Sequence, residues 1–326
     1  MATAENAKLQ YEAGQNAVAM SALTDSGDHT LFTSAATLWS GKAGNAPVIR
    51  PNGLLTGGAL TTNATNNLVT VAALTCNLAG VVTSVAGASS PAITRPASNV
   101  AKVNSITVNS SGALAVVAGT DGATTAFSET RGAAGGPPLI PVGSIEIGQV
   151  RVTTSAAGLI AASEIFQVVG THVERADFPL WDTNNGTGSI TFLGALPLIH
   201  TGSVAKAVYA SYSTPIFADV ALASDFVPPE TSHSISSTQV YGTTLGSSSS
   251  TLNQGSFTAY LQDGVTDALV TLKNENLWFK FFPDRYKAPY LLAQGKLGIS
   301  RTFPAGDSLQ ASCTISASSA AVEVGA

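Results

Sequence analysis

Short apolar or alternating runs, each closed by Gly, Asn or Pro, are what most restrict this chain. "NSITVNSSGALAVVAGTDG" at residues 104–122 is the clearest example. Ile106 and Val108 alternate with polar neighbours, "NSSG" makes a turn, and residues 114–117 run back, which is the pattern of a β-hairpin. "NLVTVAALT", "GVVTSVAG" and "GSIEIGQVRV" repeat the theme at regular spacing through residues 41–165. Strands this short and this evenly spaced predict a small antiparallel sandwich or barrel.

Three segments are expected. Residues 1–40 mix polar and small residues around a "DSGD" turn and read as an N-terminal arm that orders on a neighbour, so deleting residues 1–12 is expected to weaken stacking more than folding. Residues 41–165 read as an additional β-sandwich domain. Residues 166–326 carry longer strands and denser aromatics and read as a second β domain. Within the first domain, the Gly/Pro stretch "TRGAAGGPPLIPVG" (residues 130–143) reads as a loop across one end. Within the second, "TTLGSSSSTLNQG" (residues 243–255) reads as a low-complexity loop, mobile alone or ordered across a subunit boundary.

The stretch "SFTAYLQDGVTDALVTLKNENLWFKFF" (residues 256–282) reads as strand, cap, helix, strand. Asp263 stands where an N-cap would, Asp267 lies near the positive end of the helix and Lys273 near the negative end. Val265, Ala268, Leu269 and Leu272 then form one apolar stripe, so a helix near residues 263–275 is expected to cover a sheet that contains Phe279 and Phe281. "LLAQGKLGISRTFPAGDSLQASCTIS" reads as a hairpin turning at residues 304–308.

In this order of strand, helix, strand and hairpin, residues 200–326 resemble the major tail tube proteins of long-tailed bacteriophages. The resemblance implies a tail-tube-type β-sandwich or barrel with one flanking α-helix, and the first half resembles the immunoglobulin-like or decoration-type β modules appended to many virion proteins. It implies a structural virion protein that forms stacked, hexameric rings as the conduit for genome delivery, located in the tail and made in the host cytoplasm. Its partners would be copies of itself and other tail proteins, namely tape measure, tail terminator and distal tail protein. DNA would pass through the lumen without sequence-specific binding. Lys273, Lys280, Arg285, Lys287, Lys296 and Arg301 are the expected contacts to an adjacent subunit; the alternative is that they are solvated charges around a turn.

Composition fits a surface covered by copies of the same chain: charged residues make up only 11%, against about 25% in ordinary soluble domains. The net charge of −5 excludes a sequence-reading nucleic-acid binder, which needs a basic patch. The N-terminus has no charged region followed by an apolar run, so no secretory signal is expected, and no run reaches the length of a membrane span. Cys76 and Cys313 have no metal-ligand spacing and read as small buried residues.

No catalytic, metal or cofactor site is expected. His29, His172, His200 and His233 lack metal-binding spacing, and no nucleophile elbow occurs. Glu174 and Asp177 are the one carboxylate pair a glycosidase reading would use, and they read instead as a solvated turn. A second functional class stays open, a virion decoration or host-surface carbohydrate-binding protein, with Trp39 and Trp181 as sugar-stacking candidates.

Overall fold

The computed structural model describes residues 4–177, 180–181 and 188–325. The chain is mostly β, in several antiparallel sheets, with one α-helix among the described residues. The largest sheet has nine strands. From one edge to the other it runs Ala223–Val227, Gly255–Tyr260, Gln310–Ala317, Tyr290–Thr302, Asn276–Phe282, Lys8–Ala22, Val208–Asp219 and Val48–Pro51, with Val322–Val324 added beside Tyr290–Thr302. The two edge strands do not pair with each other, so the sheet is open and the expected barrel does not close within one chain.

The described residues of the expected arm, 4–40, do not form a free arm. Lys8–Ala22 is a central strand that joins Asn276–Phe282 on one side to Val208–Asp219 on the other. Leu9 and Tyr11 point into the core, 4% and 5% exposed, while Glu12 is fully buried on the opposite face. There its carboxylate accepts hydrogen bonds from Ser40 Oγ, from Gln15 Nε2 at 3.0 Å and from the Trp278 amide at 3.2 Å. A register irregularity between Glu12 and Gly14 accompanies this inward turn of a charged side chain.

The expected division into consecutive domains is instead a nesting. The chain leaves the large sheet after Val48–Pro51 and builds a module whose core runs from Leu54 to Val173 before it rejoins the sheet at Val208–Asp219. The boundary expected near residue 165 therefore falls inside the module. Entry and exit lie side by side, bridged in parallel at Leu54 and Arg175. Gly53, at φ +150°, allows this: a Cβ there would stand 2.4 Å from the Ala176 nitrogen.

Three small sheets pack around the module's core. The hairpin read at residues 104–122 forms as Lys102–Val108 against Leu114–Ala118. Strand Ile145–Val152 is buried along its whole length. Ile147 is an extra residue where the register shifts opposite Ile106 and Thr107, which keeps Ile145, Ile147, Val150 and Val152 all in the core. The other face carries Glu146, Gln149 and Arg151, and the Gly/Pro loop lies over it rather than across an end. From that loop and its approach, Arg131 pairs with Glu146, and Glu129 pairs with Arg151 at 2.6 Å.

On the large sheet, one face is covered by the segment that the sequence marks as helical. The strands on both sides form as expected, Gly255–Tyr260 and Asn276–Phe282, but the α-helix is only Ala268–Thr271. The reason is local competition. The Asp263 carboxylate takes the amides of Val265 and Thr266, both at 2.6 Å, and the Asp267 carboxylate takes those of Gln262 at 2.9 Å and Gly264 at 2.7 Å. Acids that would cap a long helix instead hold a non-helical loop. Val265 is consequently 65% exposed and outside the core, whereas Leu269 and Leu272 are 6% and 8% exposed and pack with Phe279. Phe281 is partly buried against the same cluster and stacks on Phe226. Leu269→Ala is expected to lower the stability of the folded chain by about 2–5 kcal/mol, read from the shift of a chemical denaturation midpoint.

A four-stranded sheet made of Leu180–Trp181, Ser189–Thr191, Leu31–Thr33 and Thr24–Asp25 adds a third core with Phe32, Trp39, Ile190 and Tyr212. Cys76 and Cys313 are both buried and free, and burial pushes their thiols up to about 11 and about 12. Among the described residues no helix is long and apolar enough to cross a membrane.

Candidate assembly surface

Residues 231–252 form a feature that the sequence reading placed only in part. Thr231–Val240 and Thr243–Leu252 pair in continuous register, from Thr231 opposite Leu252 to Val240 opposite Thr243, with Tyr241 and Gly242 at the tip. The segment read as a low-complexity loop is therefore the return strand of a hairpin. All ten residues of the outgoing strand are exposed, and so are all but the last of the return strand. At ~3.3 Å per residue the arm is roughly 33 Å long. It is tied at its root, where the Asn253 amide donates to Glu230 O at 2.9 Å and the Ala321 amide to Pro229 O at 2.7 Å.

Physical chemistry makes this arm unusual. An isolated two-stranded hairpin is marginal in water, and exposed strand edges are normally protected by charges, Pro or bulges. Residues 231–252 contain no Asp, Glu, Lys, Arg or Pro, and the hairpin has no register shift. One face is a ladder of small hydroxyls, with Ser234 Oγ 2.7 Å from Ser249 Oγ and Ser236 Oγ 2.7 Å from Ser247 Oγ. Apolar side chains also stand in the open: Ile235 is 84% exposed and Leu245 59%. The available signal in the sequence was the symmetry of two uncharged Ser/Thr runs about a Tyr-Gly pair, a two-residue connection with Gly at φ +84°.

The large sheet offers a second open edge. Ala223–Val227 pairs only with Gly255–Tyr260, and Leu222 and Val227 beside it are 64% and 52% exposed. The opposite edge is covered by the inserted module, whose Gly80 O accepts from Arg50 Nη1 at 2.7 Å and whose Asn77 Nδ2 donates to Pro51 O at 3.2 Å.

The six cations expected at subunit contacts divide by environment. Four already have partners within the chain. Lys280 is half-buried with its ammonium 4.1 Å from the centre of the Phe217 ring and 5.1 Å from that of Tyr290, and burial pulls its pKa below the ordinary lysine value. Arg285 donates to Ala7 O at 2.9 Å, Lys287 lies 3.5 Å from Asp284, and Arg301 donates to Gly264 O. Lys273 and Lys296 are exposed, one just after the helix and the other on strand Tyr290–Thr302.

The carbohydrate candidates divide as well. Trp39 is 1% exposed, stacks on Tyr212 at 4.9 Å and donates its indole N–H to Ser34 Oγ at 3.0 Å, so no sugar can reach its face. Trp181 lies in a described strand, but its side chain falls outside the described residues. Glu174 is not in a solvated turn: it is 5% exposed, and Asp177 is bound to Lys206 Nζ at 2.6 Å. Comparison with family models, curated proteins and solved structures yields no match.

Proposed function

We propose that the chain is a structural subunit that assembles with copies of itself into stacked rings, as in the tail tube of a long-tailed bacteriophage. The observation that carries this reading is the uncharged hairpin at residues 231–252, a ~33 Å arm with both faces and both edges open. Such an arm is stabilised when its edges pair with, or its faces lie on, an identical neighbour. The open strand Ala223–Val227 supplies a contact of a different kind on the same body. Two different self-contacts are what a ring that also stacks requires, one to close around the axis and one to repeat along it. The low proportion of charged residues agrees, because the surface between copies is depleted of charge at its centre.

In this reading the tail-tube-type sheet with its short helix forms the wall, and the inserted module sits on it as an appended β domain. Net charge of −5 favours a conduit that lets DNA slide rather than grip. Lys273 and Lys296, the two cations with open surroundings, are the ones placed to meet acids of an adjacent subunit.

Concentrated purified protein viewed by negative-stain microscopy is expected to show rings or hollow tubes of uniform width. Particles that remain single copies at every concentration, or compact trimers, would overturn the proposal.

A further inference from the structure

The seam between the inserted module and the body is closed by buried ionisable groups. Glu174 is stitched into it by its backbone: its amide donates to Glu146 O at 2.8 Å and its carbonyl accepts from the Leu54 amide at 2.8 Å. From the body side comes His200, 2% exposed, bridged to Ile140 and 3.1 Å from Ser144 O through Nε2. Lys206, 3% exposed, reaches across to Arg175 O at 2.6 Å. A cavity of about 370 Å³ lies at this junction, lined by Arg131, Glu146, Glu174, Ile199 and Lys206 among others.

The partners of these groups are unevenly shared. Arg131, Ser105 and Gln149 all bind the Glu146 carboxylate. Lys206 Nζ is held by Asp177 at 2.6 Å, and Arg151 by Glu129. Glu174 has the fewest: Oε2 accepts a hydrogen bond from the Glu146 amide at 3.4 Å and lies 3.8 Å from His200 Nε2, while Oε1 has no hydrogen-bond partner among the described residues. A buried carboxylate with one oxygen unpartnered and only one long hydrogen bond on the other is costly, whereas a neutral carboxylic acid is tolerated.

We propose that Glu174 is a proton-controlled latch, which in its protonated form lets the module seat on the body and on ionisation frees the seam. Burial pushes its carboxyl up to about 8 against the opposing pull of Lys206, of the hydrogen bond from the Glu146 amide and of Arg131, with the Glu146 carboxylate adding to the rise. Burial also holds His200 below the ordinary histidine value, so the two facing groups are both neutral near pH 7. The signs follow from linkage. Between the unfolded carboxyl value of 4.5 and about 8 the native chain keeps a proton that the unfolded chain has released, so stability falls as pH rises through that window. His200 acts in the opposite sense: its contribution is lost as pH drops below 6.5.

Glu174→Gln mimics the neutral acid. Its melting temperature is expected to match that of the unaltered chain at pH 5 and to exceed it increasingly up to pH 8. At pH 9, hydrogen exchange at the amides of Leu54, Glu174 and Thr201, the last of which donates across the seam to Ile140 O at 2.9 Å, compared between the two proteins at the same pH, should be faster in the unaltered chain. Equal exchange and parallel melting curves from pH 5 to 9 would overturn the latch. Should the variant not fold, carbon-13 NMR of glutamate carboxyls in the unaltered chain decides the matter. One carboxyl titrating near pH 8 is expected, and its absence would refute the proposal.

Discussion

A chain lacking residues 1–12 is expected not to fold. Those residues include the whole pairing of Lys8, Leu9, Gln10 and Tyr11 with Phe282, Phe281, Lys280 and Phe279. They are the link between the two parts of the large sheet, because Asn276–Phe282 and Val208–Asp219 meet only through this strand. Leu9 and Tyr11 leave the core with it, at about 1.5–3 kcal/mol for a side chain of Leu size. Loss of Glu12 also leaves the buried Ser40 hydroxyl without the carboxylate it donates to, and an orphaned buried donor costs about 1–3 kcal/mol. The sum reaches the whole stability of an ordinary domain, about 5–15 kcal/mol. Far-ultraviolet circular dichroism and near-ultraviolet tryptophan signals report the result. A truncated chain with an intact cooperative transition would show that the first strand is dispensable.

That expectation reverses the reading of the same residues as an arm, and the reason is physical. In "KLQYEAGQNAVAM" the alternation of Leu9, Tyr11 and Ala13 breaks at the register irregularity after Glu12, and Glu12, a charged residue on the polar side of that alternation, is buried. The run is too short to mark a central strand of 15 residues. Strands with one face on a core and one toward solvent were readable: "SFTAYLQ" places Phe257 and Ala259 inside as its alternation requires, and Tyr290–Thr302 with Gln310–Ala317 forms the hairpin that its turn residues announce. The helix was readable in place but not in length, since Asp263 and Asp267 are equally suited to capping and to holding a loop. Asp263 shows which won: the Thr266 hydroxyl and the Val265 and Thr266 amides hold its carboxyl well below the usual range. The exposed hairpin at residues 231–252 was legible only as composition. Its strands bury nothing in their own chain, so they carry no hydrophobic period to find.

Replacing residues 233–250 by an Asn-Gly turn is expected to leave the fold intact and abolish tube formation. The root pair Thr231 and Leu252 remains, and the turn closes the shortened ribbon in the way two-residue hairpins prefer. Every side chain removed is exposed, and surface changes away from caps and cores are usually worth within about 0.5 kcal/mol, so the melting temperature should hardly move. On the proposed reading assembly should respond quite differently, because both faces and both edges of the arm are open to a second copy. Sedimentation velocity on the trimmed protein should show single copies or isolated rings at concentrations where the full chain is expected to form tubes. A graded version uses charge: Ile235→Lys together with Leu245→Lys keeps the arm but puts an ammonium on each of its faces, the edge protection that this hairpin lacks. It should weaken tube formation at low salt and recover part of it at high salt, where repulsion between arms is screened. Tubes of ordinary length from the trimmed chain would mean that the hairpin faces something other than a second copy, and would leave the open strand Ala223–Val227 as the only self-contact to defend.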